Sequence, residues 1–105
     1  MVYVFDIDGT ICDTDGSDYE NSLPKMERIE KINKLYDEGH TVIMLTARGM
    51  GRTDQNEIES YRLLYDFTFK QITGWGVHFH RLMLGKPAAD YYIDDKAIKD
   101  SEFFK

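Results

Sequence analysis

Hydrophobic residues fall along this chain in two rhythms. Continuous apolar blocks at 2–5 (Val-Tyr-Val-Phe) and 41–45 (Thr-Val-Ile-Met-Leu) are rich in β-branched and aromatic side chains. Such blocks predict short strands buried on both faces. Between them Met26, Ile29, Ile32, Leu35 and Tyr36 recur at helical spacing. Pro24 suits the first turn of that helix, and Gly39 its C-terminal cap. Residues 12–22, with Asp, Ser, Gly and Asn, read as a loop. Ile58, Tyr61, Leu64, Tyr65 and Phe67 or Phe69 mark a second helix. Thr53 or Asp54 would cap it, with Glu57 three residues after Asp54. Residues 81–84 and 91–93 predict two further strands, and 96–104 a closing helix. Strands alternating with helices imply an α/β fold with a parallel sheet.

Length and composition narrow the class. The 105 residues suit one domain, 1–105, with no internal repeat or linker. A formal charge of -6 disfavours nucleic acid, whose phosphates need Lys and Arg. Cys12 is the single cysteine, so no intramolecular disulfide forms and a cytoplasmic location is expected. The N-terminal residues lack the basic and apolar regions of a secretion signal. No apolar run approaches the ~20 residues that cross a bilayer, so no membrane partner is expected.

Chemistry concentrates after the predicted strands. Asp6 and Asp8, Thr46, Lys86, and Asp94 with Asp95 each follow one. In open parallel sheets the ligand crevice lies beyond the carboxyl ends of the strands, so all should meet there. Unpaired carboxylates in one crevice repel, and a hard divalent ion, Mg2+, resolves that repulsion through oxygen ligands. The ion and Lys86 would draw in a phosphoryl group. Thr46 can offer its hydroxyl and its N–H to a phosphoryl oxygen. Asp is a covalent nucleophile in phosphoryl transfer, and a second Asp can carry the proton.

The residues Asp6-Ile7-Asp8-Gly9-Thr10, after Val-Tyr-Val-Phe, resemble the first signature of the haloacid dehalogenase superfamily. The run ending at Thr46 resembles the second, Lys86 in Gly-Lys-Pro the third, and Tyr-Tyr-Ile-Asp94-Asp95 the fourth. The resemblance covers residues 2–95 and implies a three-layer Rossmann-like core. It implies an Mg2+-dependent phosphomonoesterase with Asp6 as nucleophile and Asp8 as acid and base. Thr46 and Lys86 would hold phosphoryl oxygens. Asp6, the Asp8 carbonyl and Asp94 would hold Mg2+, with Asp95 reaching it directly or through water. Asp6 to Thr46 and Thr46 to Lys86 each span 40 positions, too few for a cap domain, so the site should be open unless a neighbouring subunit covers it. The wording around Thr46, Lys86 and Asp94 also resembles a bacterial subgroup associated with capsule polysaccharide synthesis. That implies a small sugar phosphate or related metabolite as substrate.

Each feature alone has a plainer reading. Asp-x-Asp-Gly forms turns, Lys86 could be solvated, and Asp94-Asp95 could cap the closing helix. Arg48 contacts the substrate or is a solvated loop arginine; Arg52 offers the same choice. His78 and His80 alternate but lack a third metal ligand. Trp75 belongs to the core or an interface. Cys12 has no histidine to activate it and reads as structural. Asp13, Asp15 and Asp18 make an acidic loop, solvated or closing over the site. Tyr61 or Tyr65 could meet a second subunit. A receiver domain, which accepts phosphate on Asp without turnover, is the alternative. In a receiver the paired acids come first; here the pair at 94–95 comes last. A catalytically idle scaffold is a third reading.

Overall fold

A computed structural model describes residues 1–105. Its elements run β1 (Val2–Phe5), β2 (Cys12–Asp13), a 3-10 turn (Tyr19–Asn21), β3 (Leu23–Pro24), α1 (Met26–Asp37), β4 (Thr41–Leu45), α2 (Glu57–Gly74), β5 (Arg81–Met83) and α3 (Asp100–Phe103). β1, β4 and β5 form a parallel sheet in that order, with Phe5 opposite Met44 and Met44 opposite Leu82. β2 and β3 pair as a small antiparallel ribbon closing the loop after β1.

The core is one-sided. Phe5, Val42, Met44 and Leu82 point to one face of the sheet and join Ile29 and Ile32 of α1 and Leu64 and Ile72 of α2 in a single buried cluster. Phe103 of α3 packs on Tyr3 and Phe5, the same face. Val2 and Val4, of opposite parity, are 65% and 56% exposed. The expected third layer is therefore not seen: all three helices lie on one face, because the chain after β5 supplies only the four-residue α3.

Other expectations shift for local reasons. Pro24 pairs with Cys12 in the ribbon instead of opening the helix, and α1 starts at Met26. Gly39 ends α1 as expected, at φ +95°, a conformation glycine adopts without strain. α2 starts at Glu57, and its cap is Asn56, whose side chain accepts the Glu59 N–H. Asp54 and Gln55, both at positive φ, are spent on the turn before it. Residues 91–93 form no strand, and the closing helix shrinks to 100–103. No helix is long and apolar enough to cross a membrane.

Candidate active site

β1 and β4 end side by side, so the residues following them share one crevice. It holds about 300 Å3 and is lined by Asp6, Asp8, Gly16, Tyr19, Thr46, Ala47, Arg48, Lys86 and Tyr92. Thr10 Oγ1 donates to Asp6 Oδ2 at 3.0 Å. Lys86 Nζ stands 3.4 Å from Asp6 Oδ1 and 4.3 Å from the centre of the Tyr92 ring. Gly85 aims Lys86 inward: its φ is +93°, and a Cβ there would lie 2.6 Å from Glu57 Cγ.

Asp8 is held from several sides. Arg48 Nε donates to Asp8 Oδ2 and Arg48 Nη2 to Oδ1, each at 2.9 Å. Thr14 Oγ1 donates to the same Oδ1 at 2.6 Å. Burial pushes the Asp8 carboxyl up, but the hydrogen bonds from Arg48 and Thr14 and the Arg48 charge outweigh it, so its pKa lies below the ordinary value. Burial raises the thiol of Cys12, whose sulfur lies 3.6 Å from Asp8 Oδ1. Cys12 is fully buried, in keeping with a structural role.

Arg48 is no solvated loop residue. Its side chain is 0% exposed, its Nη1 donates to Thr68 and Gln71 of α2, and its guanidinium lies 4.5 Å over the Tyr19 ring. Its donors are thus committed chiefly to protein acceptors, and it positions Asp8. Gln71 in turn donates to the Tyr19 carbonyl at 2.6 Å, tying the acidic loop to α2.

Thr46 is buried at the end of β4. Its N–H is taken by the Met83 carbonyl, so only the hydroxyl, which accepts the Arg48 N–H at 3.1 Å, faces the chemistry. The next amide, Ala47 N–H, makes none of the loop hydrogen bonds and lines the crevice. Sequence reading missed it, as it missed Thr14, because a backbone donor and a lone hydroxyl carry no pattern of their own; Thr10 stood in the first signature without a role. The Asp8 carbonyl oxygen likewise accepts none of the loop or side-chain hydrogen bonds.

The expected convergence fails for Asp94 and Asp95. Both are exposed, in an irregular segment, and neither lines the crevice. Asp94 Oδ1 instead accepts the Lys96 N–H at 3.0 Å; that hydrogen bond, then a contact with Asp95, lowers its pKa. No three His, Cys, Asp or Glu side chains come together to hold a metal. The oxygen donors at the crevice are the Asp6 carboxylate, bonded by Thr10 and Lys86, and the Asp8 carbonyl, both of the ligand type that Mg2+ takes alongside water and substrate oxygens.

The remaining candidates sort plainly. Arg52 is exposed on its turn. His80 Nδ1 accepts the Val42 N–H, and His78 lies 3.7 Å from Asp37; both rings pack on Tyr36. Trp75 packs against the core. Tyr61, Tyr65, Phe69 and Phe79 line a second groove of about 330 Å3 between α2 and β5.

No protein-family pattern matches this chain, and no curated protein matches it. It is similar to a crystal structure of a target protein from Vibrio cholerae, at 28% identity and a TM-score of 0.90. The match covers 98% of this chain and 86% of that one. The α/β fold is shared.

Proposed function

We propose that the chain is an Mg2+-dependent phosphomonoesterase of the haloacid dehalogenase type, acting on a small phosphorylated metabolite such as a sugar phosphate. The supporting observation is the meeting of Asp6, Asp8, Thr46 and Lys86 around one crevice although they are up to 80 positions apart in sequence.

Asp6 is the nucleophile. One carboxylate oxygen attacks phosphorus, the bond to the leaving alcohol oxygen breaks, and that oxygen takes a proton from Asp8. Asp8 then takes a proton from water, the resulting hydroxide attacks phosphorus, and inorganic phosphate leaves with Asp6 restored. The Arg48 clamp lowers the Asp8 pKa and so favours its role as base; to act as acid Asp8 must first take up a proton from solvent. Lys86, the Thr46 hydroxyl and the Ala47 N–H receive the phosphoryl oxygens, where charge builds in the transition state. The Asp6 carboxylate and the Asp8 carbonyl would hold Mg2+, which when bound would supply positive charge beside the phosphoryl group. A substrate linked to capsule polysaccharide synthesis belongs to the same reading.

The test is phosphate release from p-nitrophenyl phosphate with added Mg2+, followed by a panel of sugar phosphates. Asp6→Asn, nearly isosteric, should reduce release to background and leave the circular-dichroism spectrum unchanged. Activity surviving in Asp6→Asn would remove the nucleophile assignment. A stable phospho-aspartate without turnover would favour the receiver reading.

A further inference from the structure

The segment between β5 and α3 is held at Ala88, which exchanges two hydrogen bonds with Gln55, and at Tyr92, which lies against Lys86, but its other apolar side chains have no partner. Residues 87–99 hold no helix or strand, yet Tyr91, Ile93 and Ile98 are 83%, 97% and 65% exposed. Aromatic and β-branched residues in this order suit a strand. At the far edge of the sheet β1 has one neighbour, β4, so its outer row of N–H and C=O groups is unpaired. An open edge and an unpaired apolar segment are complementary.

They cannot join in parallel within one molecule. Lys86 follows the carboxyl end of β5, the opposite edge of the sheet, and only Pro87, Ala88, Ala89 and Asp90 separate it from Tyr91. Reaching the outer side of β1 means crossing about 14 Å, three strand spacings. The chain would then have to return the length of a strand, about 13 Å more. Four residues span at most about 14 Å, and a parallel crossover takes roughly a dozen residues. A connection this short, begun by proline, favours exchange over self-pairing.

The geometry points to a two-fold dimer of this chain in which residues 91–95 of each copy lie parallel to β1 of the other. Each copy gives and receives the same strand, so the contact is reciprocal and closed. It covers Tyr91 and Ile93 and caps both open edges. In parallel register Asp94 and Asp95 come just past the carboxyl end of the partner's β1, beside the partner's Asp6. The exchange thus supplies the acidic pair that each crevice lacks on its own; this catalytic consequence rests on the phosphatase reading, whereas the dimer does not.

Light scattering after size exclusion should give wild-type protein twice the 12.3 kDa chain mass. Ile93→Pro should give folded monomer, since proline has no N–H to donate to a neighbouring strand and its fixed φ opposes the extended backbone, while Ile93 is exposed in the protomer. The β1 amides not bonded to β4 should exchange hydrogen slowly in the wild type and fast in Ile93→Pro. A monomeric wild type at about 100 μM, well above the Kd of a micromolar dimer, would overturn the proposal. So would a dimer, or amide protection, unchanged by Ile93→Pro. Asp6→Asn and the double variant Asp94→Asn/Asp95→Asn should each be inactive alone. Unfolded together and refolded, they should recover about a quarter of wild-type activity, because half the dimers are mixed and each holds one intact site. No recovery, with the wild type active, overturns the partner-supplied site. An inactive wild-type dimer with protected β1 amides supports the exchange and removes the phosphatase reading instead.

Discussion

Replacing Arg48 with methionine tests the electrostatics of the crevice without touching the nucleophile. Methionine keeps most of the volume and removes the charge. The guanidinium is 0% exposed and donates twice to Asp8, and to Thr68 and Gln71. Stranding one partner of a dry ion pair costs ~3–5 kcal/mol. Asp8 keeps 26% of its surface, so water recovers part of that, and the loss should be about 2–3 kcal/mol. In a domain this size such a loss lowers Tm by about 10–20 °C. The effect should depend on pH. In the parent, Asp8 binds its proton more weakly folded than unfolded. Its stabilisation is therefore complete above the ordinary Asp value of about 3.9 and is lost as pH falls through the depressed folded value. In Arg48→Met burial is opposed only by the Thr14 and Cys12 hydrogen bonds, so the Asp8 pKa lies above the parent's and the variant has less carboxylate stabilisation to lose in acid. The Tm gap between the two proteins should thus narrow on acidification. Thermal unfolding followed by circular dichroism at neutral pH and near pH 3.5 measures both effects. A Tm within about 2 °C of the parent, what a neutral surface substitution gives, or a gap that widens in acid, would refute the reasoning.

Lys86→Ala should cut phosphate release by roughly 10^2–10^3-fold, as loss of a phosphoryl-binding charge does. Its partly exposed contact with Asp6 predicts a stability change of no more than about 1 kcal/mol, measurable by urea denaturation. Gly85→Ala forces a side chain onto φ +93° and into Glu57, and should cost about 1–3 kcal/mol in urea unfolding; a Glu57→Ala background should relieve the clash and leave the backbone strain. Asn56→Ala removes the α2 cap and should lower stability by ~1 kcal/mol, seen as a Tm drop of about 4–8 °C.

Where local chemistry and tertiary packing agree, the sequence was readable. The blocks at 2–5 and 41–45 became β1 and β4 because apolar β-branched runs have few other uses, and Asp6, Asp8 and Thr46 follow from where those strands end. Lys86 reached the crevice although it lies 80 residues from Asp6. The pattern was blind to the occupant of each side chain. Nothing in the letters distinguishes an arginine reaching for substrate from one buried against Asp8, since the difference lies in Thr68 and Gln71, a turn apart on α2. Tyr91-Tyr92-Ile93 carried a strand pattern that a single copy does not satisfy. Hydrophobic periodicity reports what a segment prefers to touch, and says nothing of which molecule provides the contact.

The burial of Cys12 has a practical consequence. The protein carries one thiol, fully enclosed and with its pKa raised, so its thiolate is scarce and shielded while the fold is intact. Its reaction with a thiol reagent then waits on opening of the chain around the β2–β3 ribbon. The time course of labelling under native conditions would report how often that ribbon comes apart, with no engineered probe.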